Sequence, residues 1–292
     1  MATFTGCMTA LVTPFRGGAV DTRALADLVE MQIAGGVHAL VPCGSTGEAA
    51  TLTHEEQGEI VRHVVQLARR RVPVIAGTGS NSTAEAIRLT RAAEEVGADG
   101  ALLISPYYNK PTQDGIFRHY AAVAEATRLP LIVYNIPGRT ASNITAETLG
   151  RLSRVRNIVG VKEASGSLAQ VLEIMAAAGP EFAVYSGDDI LALPIMAAGG
   201  AGVIAVTSNV APRPFADLVG ALLDGDLARG RTLMSRLLPL VRAMSLEVNP
   251  LPVKTALALM GRCAEEFRLP LTPMSAPARQ QLETVLREYD LV

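Results

Sequence analysis

Lys162 stands at the end of a small, apolar, β-branched run, VGVKEASG at residues 159–166. An ammonium group carried into a strand that reads as buried loses hydration, so its pKa falls and the neutral amine becomes accessible. A neutral amine in a closed pocket forms an imine with a carbonyl compound. The plain alternative is a strand-end lysine whose stem lies on apolar surface while its head reaches water. Composition weighs against that: of 26 Lys plus Arg, only Lys110, Lys162 and Lys254 are lysines. Arginine serves almost everywhere a simple cation is enough, which leaves the few lysines as candidates for work a guanidinium cannot do.

Period two places Ile158, Gly160 and Lys162 on one face of this strand, with Val159 and Val161 on the other. If the first face is inward, Gly160 leaves space beneath Lys162. In PLIVYNIPGRT (130–140) the same alternation pairs Ile132 with Tyr134 and aims the phenol at the same mouth, in reach of a proton on the amine. A tyrosine that is only core, its hydroxyl satisfied, is the simpler reading. Arg139, in the loop that follows, has the fork geometry to clamp a carboxylate; as a lone loop arginine it would be solvated. GSTGE (44–48) offers backbone N–H groups and the hydroxyls of Ser45 and Thr46 as a cradle for a small anion. It lacks the Gly-Lys-Ser/Thr of a nucleotide phosphate loop, and a tight strand-to-helix turn would read the same way. His38, His54, His63 and His119 have no ligand spacing, and Asp188-Asp189 is a metal pair or, more simply, a helix N-cap.

The elements that must position these residues follow from apolar patterning. Eight short apolar or Gly-bounded runs begin at residues 7, 39, 73, 100, 130, 158, 182 and 201, with helical segments between them. Their near-continuous apolar character implies strands covered on both faces, as in a parallel sheet. Thr53-His-Glu-Glu56, Ser82-Thr-Ala-Glu85 and Ser167-Leu-Ala-Gln170 have the form of capping boxes that open helices. Eight βα units predict a (β/α)8 barrel over residues 1–224; an open doubly wound sheet is the alternative, weakened by the lack of GxGxxG after the first strand. From residue 225 the strand pattern stops, and 225–292 reads as an appendage of three helices punctuated by prolines, packed on the barrel.

A net charge of −2 with interspersed signs gives neither a nucleic-acid stripe nor a membrane patch. Cys7, Cys43 and Cys263 have no paired spacing, no apolar run reaches a membrane-spanning length, and the N-terminus lacks the pattern of a leader. The expectation is a reduced, cytoplasmic protein.

Taken together, GSTGE, SPYYNKP (105–111), YNIPGRT (134–140), VKEASG (161–166), SGDD (186–189) and NPLPVK (249–254) resemble the dihydrodipicolinate synthase family, in order and over essentially the whole chain. This family of (β/α)8 barrels lies within the pyruvate-dependent class I aldolases. The resemblance implies that Lys162 forms a Schiff base with pyruvate, whose carboxylate rests on Ser45 and Thr46. The derived enamine then attacks L-aspartate 4-semialdehyde and cyclisation expels Lys162. It also implies a proton relay of Tyr134, Thr46 and Tyr108, with Tyr108 reaching in from a neighbouring subunit. Arg139 would hold the semialdehyde carboxylate, and Gly187 and Ile204 would line the site through their backbones. A homotetramer (a dimer of dimers) and the absence of any metal or organic cofactor are implied in the same way.

Two departures stand out. Ser45 replaces a common threonine, with altered packing and retained activity expected. His54, Asn81, Glu85 and Tyr107 match an interfacial lysine-inhibition site, but Ala49 and Gln57 replace the serine and histidine often found there, so inhibition is expected to be weak or absent. Other readings are an aldolase cleaving a sugar acid, against which Arg139 argues, and a catalytically silent barrel that binds a keto acid.

Overall fold

In the computed structural model, which describes residues 4–292, each of the eight apolar runs carries a strand shorter than the run. They are β1 (Gly6–Ala10), β2 (Ala39–Val41), β3 (Ile75–Gly77), β4 (Gly100–Ile104), β5 (Leu131–Asn135), β6 (Ile158–Glu163), β7 (Ala183–Ser186) and β8 (Gly202–Ala205). β2 stops at Pro42, which has no N–H to give the ladder. The first three residues of the N-terminal stretch read for a leader lie outside the described residues.

The sheet order is β2-β1-β8-β7-β6-β5-β4-β3, with every pairing parallel. A parallel bridge from Leu40 to Val74, just ahead of β3, joins its two ends. The fold is thus a (β/α)8 barrel, and closure excludes the open doubly wound sheet. The first loop holds a small antiparallel ribbon, Phe15–Arg16 with Ala19–Val20, that patterning did not predict. Its signal was present in Gly17-Gly18, both at positive φ (59° and 83°), where a two-residue hairpin turn favours glycine.

The helices are α1 (Thr22–Ala34), α2 (His54–Ala68), α3 (Thr83–Glu95), α4 (Gln113–Glu125), the single turn α5 (Pro137–Thr140), α6 (Ala146–Leu152), α7 (Leu168–Ala178), α8 (Ala192–Ala197) and α9 (Pro212–Leu223). All three expected N-caps form, but only Thr53–Glu56 closes as a reciprocal box. The Glu85 carboxylate is taken by Ser80 and His54 instead, and the Gln170 amide by Asn143 and Glu163. Tertiary partners outbid the local backbone donor in both cases.

The appendage is α10 (Leu227–Ala243), α11 (Leu251–Leu259) and α12 (Ala276–Glu288). α11 ends at Leu259. Gly261 follows at φ 70°, and the carboxylates beyond it have other partners: Glu265 pairs with Arg279 and Glu266 accepts from the N–H groups of Gly17 and Gly18. The expected division at 224/225 falls in the turn between α9 and α10, and one apolar cluster runs across it from the barrel strands to Leu282 and Leu286. Among the described residues no helix is long and apolar enough to cross a membrane.

Two apolar layers account for the stability of this architecture. The larger lies between strands and helices; the smaller fills the barrel with Met8, Val41, Ile75, Ile132, Tyr185 and Ile204 among others. On β6 the expected period fails once. A register shift against Leu131/Ile132 puts Ile158 with Val161 in the outer layer and leaves Val159 against the interior, so only Gly160 and Lys162 follow the inward phase. The space above Gly160 is not empty: a Cβ there would sit 3.0 Å from the Tyr185 ring, which fills the barrel beneath Lys162.

Candidate active site

At the carboxyl end of the barrel, β5 and β6 pair in register so that Tyr134 lies beside Lys162. Both side chains are buried, and the lysine Nζ sits 4.4 Å from the centre of the phenol ring. Burial lowers the Lys162 pKa to about 8; the charge of Asp189 works against that shift, Arg139 adds to it, and Asp188 again opposes it. A useful fraction of neutral amine therefore exists near neutrality, which an exposed lysine lacks. The Tyr134 hydroxyl moves the other way, to about 12, because it is buried; Arg139 and a hydrogen bond with Ser45 temper the rise. It remains a protonated donor beside an amine that can lose its proton.

The two groups face a cavity of about 240 Å³ lined by Ser45, Thr46, Tyr134, Arg139, Lys162 and Gly187 among others. Gly187 is there for a steric reason: a Cβ on it would approach Lys162 Cε and Cγ to 3.0 Å. The GSTGE turn is folded on itself, Gly47 N–H to the Gly44 carbonyl (3.0 Å) and Glu48 N–H to that of Ser45 (3.2 Å). Its buried Thr46 hydroxyl accepts from the Asn249 amide at 3.0 Å. Arg139, exposed on α5, donates to the Asn249 carbonyl at 2.7 Å.

Tyr108 is not brought to this cavity. It is 87% exposed, and its backbone is held at φ 71°. Ile204 sits in the barrel interior, and the wall of the cavity at that strand end is formed by Val206, two residues on. His54, Glu85 and Tyr107 line a second cavity of about 510 Å³ that shares Ser45, Tyr134 and Arg139 with the first. His54 Nε2 lies 3.0 Å from Glu85, and the Asn81 carbonyl accepts from Asn109, at the end of the loop that carries Tyr107 and Tyr108. Asp188 caps a short 3₁₀ turn, as the simpler reading had it. The buried Asp189 carboxylate accepts from the N–H groups of Val206 and Thr207. Among the described residues no cluster of three or more His, Cys, Asp or Glu is arranged to hold a metal ion.

Patterning missed two contributors. Asn249 touches both Thr46 and Arg139, and Lys254 forms a fully buried ion pair with Glu48 at 2.6 Å. The available signals were the NPLPVK motif and the rarity of lysine, but neither says which distant turn the segment will meet.

Relatives carry the same frame. The family model described as the dihydrodipicolinate synthetase family matches residues 3–289. A 4-hydroxy-tetrahydrodipicolinate synthase of Trichlorobacter lovleyi is 53% identical over 289 residues, covering 99% of this chain and all of the relative. The crystal structure of dihydrodipicolinate synthase from Aquifex aeolicus superposes with a TM-score of 0.97 at 47% identity, covering 99% of each chain. The chloride-inhibited dihydrodipicolinate synthase from Acinetobacter baumannii, complexed with pyruvate, gives 0.97 at 43% identity, covering 99% of this chain and 100% of that one. With residues 3–289 matched by the family model and 99% of its length covered by a relative at 53% identity, the chain belongs to the dihydrodipicolinate synthetase family.

Proposed function

We propose that the protein is a 4-hydroxy-tetrahydrodipicolinate synthase, condensing pyruvate with L-aspartate 4-semialdehyde in lysine and diaminopimelate biosynthesis. The observation that carries this reading is a buried lysine with a pKa of about 8, facing Tyr134, Ser45, Thr46 and Arg139 across one small cavity. The neutral Lys162 amine adds to the pyruvate carbonyl and water leaves, giving an imine. The imine withdraws electrons, so the methyl group gives up a proton and the resulting enamine forms a C–C bond to the aldehyde carbon. The substrate amine then adds to the imine carbon and Lys162 departs as the ring closes. Tyr134, Thr46 and the Tyr108 of a neighbouring subunit relay the protons. Ser45 and Thr46 hold the pyruvate carboxylate, and Gly187 and Val206 line the site, with Ile204 one layer below in the barrel interior. No metal or organic cofactor is required, since the imine itself is the electron sink.

The test is borohydride reduction with pyruvate followed by peptide mass spectrometry, alone and with the semialdehyde present. A pyruvyl adduct on Lys162 that the semialdehyde drains supports the reading. An adduct indifferent to the semialdehyde moves the second substrate to sugar acids, and no adduct removes the chemistry. Arg139 has a separate expected result. Arg139→Gln is expected to raise the KM for the semialdehyde by about 10- to 100-fold, while pyruvate trapping persists.

The protein is further proposed to be a cytoplasmic homotetramer. Tyr108 needs a neighbour's site to act in, and Leu168 and Leu172, 40% and 56% exposed one turn apart on α7, offer a second apolar surface. Lysine is expected to inhibit weakly or not at all. His54, Asn81, Glu85 and Tyr107 are the residues in question, and in their cavity the Gln57 amide is already spent on the Ala49 carbonyl at 3.0 Å. A sub-millimolar inhibition constant for lysine would overturn this.

A further inference from the structure

The segment from Asn249 to Arg268 grips the GSTGE turn at both ends. At one end the Asn249 amide donates to the Thr46 hydroxyl. At the other, Lys254 on α11 meets the Glu48 carboxylate at 2.6 Å, with both side chains fully buried. The lysine Nζ lies 4.0 Å from the centre of the Phe15 ring and 5.2 Å from that of Phe267, while the Cys263 thiol donates to the Lys254 backbone carbonyl. The second Glu48 oxygen accepts from the Arg268 N–H at 3.3 Å. The Arg268 guanidinium stacks on Phe15, holds Glu56 with two bonds of 2.6 Å and donates to the Thr51 carbonyl. Glu48 itself is a non-glycine residue at φ 55°, a conformation that persists only where the surroundings over-determine it. A buried ion pair is poor value as a stabiliser, since the desolvation it costs consumes most of the attraction. Its use here is geometric: Glu48 N–H is bonded to the Ser45 carbonyl, so whatever fixes Glu48 fixes the cradle three residues away.

We propose that Lys254 is a positioning residue whose ion pair with Glu48 makes the C-terminal segment a brace for the Ser45–Thr46 cradle. The inference rests on the reading of that cradle as the seat of the pyruvate carboxylate. Lys254→Met leaves Glu48 buried without its cation; the paired change Glu48→Gln with Lys254→Met removes both charges and preserves volume, so folding is retained if the single variant fails. Hydrogen–deuterium exchange over residues 44–51, pyruvate KM and borohydride trapping are compared with the unaltered protein. The expected results are amide exchange at Gly47, Glu48 and Ala49 accelerated by about tenfold or more and confined to that turn, and a pyruvate KM raised by about tenfold. Trapping on Lys162 at saturating pyruvate keeps its end-point and its pH midpoint. A purely structural pair would instead lower Tm and leave both the exchange of the turn and KM unchanged in the folded variant, which overturns the proposal, as does acceleration spread evenly over the barrel. Exchange is read without pyruvate, so failure of the imine reading shows as an absent adduct on the unaltered protein, while the brace stands or falls on the exchange data.

Discussion

Lys162→Met is expected to abolish the borohydride-trapped pyruvyl adduct and to lower kcat/KM by about 10⁴-fold or more, while making the fold more stable. The first half follows from chemistry: methionine fills nearly the same volume between Tyr134 and Gly187 but has no amine to form the imine. The second half follows from linkage. In the folded protein Lys162 titrates at about 8 rather than its ordinary 10.5. Between those values the unfolded chain binds more protons than the folded one, so stability rises with pH across that window. Below about 8 the burial of the charged form is a standing cost, partly offset by its contact with the Tyr134 ring. Removing the amine should therefore stabilise the protein at neutral pH by about 1–2 kcal/mol, a rise of a few degrees in Tm. Thermal melts at pH 7 and above pH 10 check the sign: the gap between variant and parent should be open at pH 7 and nearly closed at the higher pH. A variant less stable at pH 7 would mean that the amine is held as a satisfied cation. The same pKa predicts that the initial rate of pyruvate trapping climbs with pH and levels off near 8.

The second large effect is expected at Tyr134. Tyr134→Phe removes one hydroxyl from a cavity wall and leaves the ring against Lys162, so the fold and the cation contact persist. The lost group is a proton donor and acceptor held against titration up to about 12, with Ser45 bonded to it. Proton transfers during imine formation, methyl deprotonation and ring closure then fall to water, at a cost of about 10²- to 10³-fold in kcat. Adduct formation with pyruvate should be slowed but complete on long incubation, which separates a relay role from a binding role. An unchanged kcat, read by steady-state assay with both substrates, would reduce Tyr134 to core.

The two outcomes bear on how the residues came to be readable. Lys162 and Tyr134 were legible because each sits inside an apolar strand whose period of two sets its face, and β5 and β6 are adjacent in a barrel. The register shift at β6 was not legible: Ile158 leaves the inward phase because its partner strand pairs Leu131 with Ile158 and then Ile132 with Gly160. No property of VGVKEASG alone contains that offset. The same holds for Ser82 and Ser167, whose N-caps form as read while their expected reciprocal partners turn to other side chains. Local rules rank local options, and a tertiary donor at the right distance overrides them.

By itself the sequence determined the eight strands, the barrel class, the helical region after residue 225 and the candidate residues for imine chemistry, because apolar periodicity and residue type are local properties. Only the tertiary structure decided that the Tyr185 ring fills the space beneath Lys162, that Gly187 must lack a side chain, and that Asn249 and Lys254 reach a turn some 200 residues earlier to hold Thr46 and Glu48. It also left Tyr108 pointing to solvent. These are consequences of closing a ring: the first strand pairs with the last, residues distant in the chain become neighbours, and the contacts that set a pocket's shape are encoded in no single segment.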